Sequence, residues 1–354
     1  MAKASRRSSR SATIQDVARA AGVSAMTVSR VINGKRNVRD STRDAVLKTI
    51  ADLSYSPNAA ARTLAAGEAT HIGLLYANPS AAYLSQFLVG ALEGARQTGA
   101  HLVLEACESE SADEQAQIAR RFLQSNLDGV ILPPPLSDSM AVHAEIAAAK
   151  MSMVTVAMGL PQEKSLNVRI DDFAAAKEIT DYLIQLGHRR IGFIRGHPNM
   201  TASSERYRGF VAALEEAGLD PDAASVEQGY FSYRSGLVAA ERLLAADRPP
   251  TAIFASNDDM AAAVVNIAHR RGLEVPRDVS VVGFDDTMPA TTVWPELTTI
   301  RQPVAEMAEE AVKLLMAELR HADESDRQTE RVLQHELVVR DSAASPAHSR
   351  SERR

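Results

Sequence analysis

The sequence predicts an α/β protein, with a small all-α head followed by a larger core of two parallel-sheet subdomains. Residues 13 to 66 read as short helices. From His71 onward, strand-sized apolar runs alternate with helix-sized amphipathic runs, the texture of βαβ units. These units are too many for one sheet, and the pattern changes near 170–173. Charge divides the chain in the same way. Residues 1–66 carry 12 Lys and Arg against 4 Asp and Glu, and the remainder carries 27 against 41. A basic head on an acidic body points to a polyanion touched by the head alone.

The head is expected to occupy residues 13–56, after a disordered, Ser/Arg-rich tail at 1–12. That tail is basic but lacks the apolar core of an export signal. Thr13 suits the cap of a first helix, with Asp16 as its capping-box partner. In IQDVARAA, the residues Ile14, Val17, Ala18 and Ala21 share one face. Gly22 permits a tight turn, and Ser24 can cap a second helix, AMTVSRVIN. Two helices joined by a Gly-containing turn make a helix-turn-helix. Val28 and Ile32 then face inward, leaving Ala25, Met26, Ser29 and Arg30 outward, near the end that meets base edges. A third helix is expected from a Ser41 cap through TRDAVLKTIADL, turning Val46, Ile50 and Leu53 inward.

The outward set suits DNA. Arg30 can donate two hydrogen bonds to guanine O6 and N7, and Ala25 and Met26 can touch thymine methyls. Thr27, Ser29 and Asn33 can hold phosphates, as can the helix N-terminus with Ser24 and the preceding Thr13 cap. Residues 57–70 follow as hinge and linker. AAARTLAA is helix-prone but too short to persist alone in water. Leu64 is its one large apolar residue, suited to wedge between base steps in a minor groove, with Asn58 and Arg62 beside it as further DNA contacts. An ordinary interdomain linker with a buried Leu is the alternative.

In the core, strands are expected at HIGLLY, HLVLEA, GVILPP, MVTVAM, NVRI, RIGFIR, VEQG, TAIFAS and VSVVGF. Helices are expected at 82–98, 113–125 and 137–150 among others, and a disordered tail at 342–354. No apolar run is long enough to span a bilayer. The single Cys107 allows no intramolecular disulfide and fits a reducing, cytoplasmic setting. Nucleophile-elbow, phosphate-loop, HExxH and strand-following GxGxxG motifs are lacking, and the nine His show no metal spacing. No enzyme, cofactor or metal is therefore expected.

The runs TIQDVARAAGVSAMTVSRVING, Thr42-Arg43 and YSPNAAARTLA, with PTAIFASNDDMA, PRDVSVVGFDD and PELTTIRQP, resemble the LacI/GalR family of bacterial regulators over residues 13–341. The resemblance implies a homodimer whose paired hinge helices enter the minor groove at the centre of a palindromic operator. Leu64 matches the family's intercalating leucine, and Ala25, Met26 and Arg30 fall at base-reading positions. No Leu heptad closes the chain, so a dimer is expected rather than a tetramer.

The resemblance also implies a core like a type I periplasmic binding protein. Its N-subdomain spans about 71–171 and 302–331, and its C-subdomain 172–301 and 332–341. A small effector, expected to be a sugar, lies between them. Arg206 falls on the family's effector-binding arginine, Asn257 and Asp285 on hydroxyl-binding residues, and Phe231 on an aromatic stacking position. Tyr83 is expected at the cleft mouth and Asp171 near the crossover. Met200, Thr201 and Ala202 lie where members carry effector-selective residues, so the effector's identity does not transfer. Asn257 can equally cap the helix after it, and an Arg also suits phosphate or carboxylate.

The implied function is transcription regulation, most simply repression of carbohydrate uptake or catabolism genes, relieved by a sugar. Two alternatives stand beside it. One is a periplasmic-type sugar receptor, which would need an export signal and no Arg30. The other is a regulator answering a nucleobase, a sugar phosphate or an acidic effector.

Overall fold

The computed structural model describes residues 13–32, 38–53, 70–77, 79–160, 165–320 and 329–346. The chain divides into two compact units, residues 1–69 and 70–354.

The first unit holds α1 (Ile14–Ala20), α2 (Ala25–Ile32) and α3 (Asp40–Asp52). Thr13 starts α1 through a reciprocal box: its Oγ1 accepts from Asp16 N–H at 3.3 Å, and its own N–H donates to Asp16 Oδ2 at 3.0 Å. Gly22, at φ +65°, makes the left-handed turn into α2. Ser24 Oγ then accepts from Thr27 N–H at 3.1 Å. Val17, Ala18, Val28, Val31 and Val46 form the buried centre, with Ile14, Ala21, Val23, Ala25, Val38 and Ile50 packed against it.

Three details differ from expectation. Helix α3 begins at Asp40, so Ser41 lies within its first turn and is not the cap. Leu53 is 38% exposed, because the helix has ended at Asp52 and the residue follows in a turn. Ala25 is half-buried against the core, one of its faces being claimed by the helix pair.

The second unit carries two six-stranded sheets. The first joins β1 (His71–Tyr76), β2 (His101–Ala106), β3 (Gly129–Leu132), β4 (Ser152–Val156), β5 (Leu166–Arg169) and β11 (Glu330–Val332), in the order β2-β1-β3-β4-β5-β11. The second joins β6 (Ile191–Arg195), β7 (Val226–Gln228), β8 (Ala252–Ala255), β9 (Ser280–Asp285), β10 (Thr298–Arg301) and β12 (Glu336–Val338), in the order β7-β6-β8-β9-β10-β12. Every pairing is parallel except β10 with β12. Strands β3, β8 and β9 are buried at every residue, as parallel strands covered on both faces must be.

Helices α4 (Ala81–Thr98), α5 (Ala112–Phe122) and α6 (Met140–Ala148) belong to the first sheet's crossovers. Helices α7 (Asp172–Gln185), α8 (Thr201–Glu216), α9 (Tyr233–Leu244), α10 (Asp258–Arg270) and α11 (Met288–Thr292) belong to the second's, and α12 (Val304–Arg320) packs back on α4. That last contact is backbone-close, since a Cβ at Gly90 would sit 1.8 Å from Ala305 O. The chain passes between the sheets three times, after β5, after β10 and between β11 and β12.

Residues 342–346 are not a disordered tail. Ser342 is fully buried, and its Oγ accepts from Thr298 N–H at 2.8 Å while donating to Val281 O at 2.6 Å. The Ala344 carbonyl takes bonds from Ser280 Oγ at 3.0 Å and from the His188 ring at 2.9 Å. Small polar composition reads as disorder, but here the Ser342 hydroxyl and the Ala344 backbone close an end of the second sheet. Among the described residues, no helix is long and apolar enough to cross a membrane.

Candidate functional site

In the second unit, the carboxyl ends of the parallel strands from both sheets converge on one cleft, the place where open α/β sheets bind ligands. About 420 Å³ of space, part of it open to solvent, is bordered by Tyr83, Pro135, Ala202, Phe231, Asp285 and Gln302 among others. Backbone strain gathers there: Ala157 (φ +53°), Phe231 (φ +58°) and Asp285 (φ +114°) all line the cleft with positive φ and no glycine. Such conformations persist only when the surroundings fix them, and they cluster at functional sites.

Arg206 is the centre of this site. It lies in the second turn of α8 and is 4% exposed. Its Nε donates to Asp172 Oδ1 at 2.8 Å, and its Nη1 donates to the Ser256 carbonyl at 2.6 Å. Asp285 Oδ1 lies 3.8 Å from Nη1, and the guanidinium sits 3.7 Å from the Phe284 ring centroid. Gln302 Nε2 donates to Asp285 Oδ1 at 2.6 Å. Asp258, directly behind, is spent on structure: it accepts from Thr287 N–H at 2.8 Å and from Thr299 Oγ1 at 2.7 Å.

One guanidinium thus faces several buried carboxyls. Burial lifts Asp285 to a pKa of about 7, against the opposing pull of Arg206. Burial also raises Asp172 and Asp258, and it raises the Tyr83 phenol, which the Asp285 charge pushes further. Three buried polar atoms here have no hydrogen-bond partner among the described residues: Tyr83 Oη, Asp172 Oδ2 and Gln302 Oε1. Buried polar atoms are nearly always paired, so an orphaned set beside a cleft is what a polar ligand would complete.

The expected effector residues divide. Tyr83, Ala202, Arg206, Phe231, Asn257 and Asp285 all border the cleft. Tyr83 is buried, not at an open mouth. Asn257 caps α10, accepting from Met260 N–H at 3.0 Å, and its Nδ2 donates to the Phe231 carbonyl at 2.9 Å. It therefore fixes the strained Phe231, whose ring lies where a Cβ on Gly196 would be, 2.0 Å away.

Asp171 does not border the cleft. It is the exposed cap of α7, accepting from Ala174 N–H at 2.9 Å, and its neighbour Asp172 faces Arg206 instead. Thr201 lies one residue before Ala202, and its hydroxyl bonds Asp138. Asp172 and Gln302 were missed. Their signals were present, one in the doubled acid of IDD and the other directly after the last core strand of TTIRQP.

In the first unit, the second helix presents Met26, 65% exposed, and an exposed Arg30 whose Nη2 lies 3.6 Å from the Met26 sulfur. Ser24 and Thr27 hydroxyls meet at 2.9 Å at the helix start. The side chain of Ser29, and Asn33, Asn58, Arg62 and Leu64 altogether, lie outside the described residues.

Residues 13–58 match the model of bacterial regulatory proteins of the lacI family, and residues 180–343 match a periplasmic binding protein-like domain. The HTH-type transcriptional repressor PurR of Haemophilus influenzae (strain PittEE) is 34% identical over 338 residues, 94% of this chain and 99% of its own. A solved transcriptional regulator CelR–cellobiose complex aligns with a TM-score of 0.72 at 30% identity, covering 94% of this chain and all of that one (100%). The lac repressor dimer bound to operator and the anti-inducer ONPF aligns with a TM-score of 0.70 at 27% identity, over 95% and 100% of the two chains. A capped helix-turn-helix joined to a two-sheet core with a strained polar cleft, and this likeness along nearly the whole length, place the chain in the LacI family of bacterial regulatory proteins, as a DNA-binding transcription regulator.

Proposed function

We propose that this regulator is a repressor, that it binds a palindromic operator as a homodimer, and that a small neutral, hydroxyl-rich effector such as a sugar releases it. The observation that carries the effector reading is the charge balance of the cleft. Its single guanidinium is already bonded to Asp172 and the Ser256 carbonyl, with Asp285 beside it. The unpartnered atoms bordering the cleft are the Tyr83 phenol and the Gln302 carbonyl, with Asp172 Oδ2 next to Arg206. Hydroxyl donors satisfy such a set, whereas a phosphate or carboxylate would bring further negative charge against buried acids. The Phe231 ring supplies an apolar wall of the kind a sugar face packs against. The cellobiose-bound and operator-bound relatives support the same reading.

Release requires the cleft to change how the two subdomains sit, a hinge closure of the kind that couples ligand to a distant element. Coupling is reciprocal, so operator should weaken effector binding by the factor by which effector weakens operator binding. A thermal-shift screen of neutral sugars against their phosphorylated forms tests the class. Stabilisation by the phosphates alone would overturn it. Gel shifts on operator with the hit then separate the two sites. Arg206→Ala should keep DNA binding and lose release, and Leu64→Ala should weaken operator binding while keeping the effector's thermal shift. Release that survives Arg206→Ala removes this cleft from the mechanism.

A further inference from the structure

Helix α8, which carries Arg206, starts without a cap of its own. Its N-cap position is Met200, whose side chain makes no capping bond. The missing acceptor comes from the other subdomain. Asp138, in the short turn after β3, accepts from Thr201 N–H at 3.1 Å and from the Thr201 hydroxyl at 2.6 Å. The same hydroxyl oxygen accepts from Gly159 N–H at 2.9 Å and Leu160 N–H at 3.3 Å, just beyond β4. All four bonds cross between the two subdomains, two donated each way. The approach is tight, since a Cβ on Gly159 would lie 2.8 Å from Ala202 N and 2.9 Å from Ala202 Cα. A carboxylate at a helix N-terminus is favoured by both the free N–H groups and the helix dipole.

We propose that Asp138 is a helix cap supplied in trans, a positioning residue that makes closure of the cleft and completion of the first turn of α8 one event. Opening the cleft strips α8 of its cap, and closing it restores the turn that sets Ala202 and Arg206. The proposal rests on the effector-site reading only for its consequence in induction, and its test uses no effector.

Hydrogen exchange on the full chain reads three amides, those of Thr201 in one subdomain and of Gly159 and Leu160 in the other. Asp138→Ala removes the acceptor of Thr201 alone, yet the amides of Gly159 and Leu160 should also exchange about five-fold faster or more, the factor expected for losing a typical cap. Thr201→Ser should keep wild-type protection at all three. Gly159→Ala leaves Asp138 and Thr201 intact but wedges the contact, and it should accelerate the Thr201 amide. The amides of Ala252–Ala255 in β8 report on the fold. If Asp138→Ala loses protection there too, Gly159→Ala decides. Unchanged exchange of Gly159 and Leu160 in a folded Asp138→Ala, or of Thr201 in Gly159→Ala, reduces Asp138 to a local contact and overturns the proposal.

Discussion

Replacing Asp285 by Asn tests the reading that the cleft is built from carboxyls forced together by burial. The side chain is 5% exposed, and its pKa stands at about 7 against an ordinary 3.8. Between those values the folded chain holds a proton that the unfolded chain has released. Stability therefore falls as pH rises across that window and levels off above about 7. Each pH unit is worth about 1.4 kcal/mol, so the stretch from pH 5 to the folded pKa amounts to about 2–3 kcal/mol. Asn keeps the shape, can still accept from Gln302 Nε2 and tolerates positive φ better than most residues. Urea unfolding of both proteins at pH 5 and pH 8 gives the measurement, with the titrating groups remote from the cleft cancelling in the difference. The variant should gain about 2–3 kcal/mol on wild type between the two pH values. A difference that stays constant with pH would refute the idea that this carboxyl carries the strain of burial.

Three further outcomes follow from the same geometry. Arg206→Met leaves Asp172 and Asp285 buried without their cation, and should cost about 3–5 kcal/mol at neutral pH, less at pH 5 where the acids protonate, by melting at the two pH values. Ser342→Ala strands the buried Thr298 N–H and should destabilise the core by about 1–3 kcal/mol in urea unfolding, whereas a truly frayed tail would show no change. Arg30→Ala should lose about 1–3 kcal/mol on operator in gel shifts and relax preference at one base pair, and an equal loss on random DNA would reassign Arg30 to phosphate contact.

The head was legible because its signals are local. Thr13, Asp16, Gly22 and Ser24 each act within three residues of their partners, so spacing alone locates the starts of the first two helices and the turn between them. Most of the cleft was legible for a related reason. A parallel strand delivers its next residues to one edge of the sheet, so Asp285 ends β9, Asn257 follows β8 and Phe231 follows β7 at the same rim.

Where the reading failed in the second unit, the deciding partner lay far along the chain. The doublet Asp171-Asp172 offers two carboxylates at the start of one helix, and successive helical residues point about 100° apart. Local chemistry makes either one a good cap. Only Arg206, 34 residues on, selects Asp172 as the buried member and leaves Asp171 to cap α7. Ser342 poses the same problem over 44 and 61 residues, to Thr298 and Val281. Thr201 poses it over 63, to Asp138. Each of these polar groups looks solvated when read in its own neighbourhood. Each is costly to bury without its distant partner. The information that these residues are structural is therefore held in pairs, and in this cleft the pairs join elements that one strand period or one helix turn cannot relate.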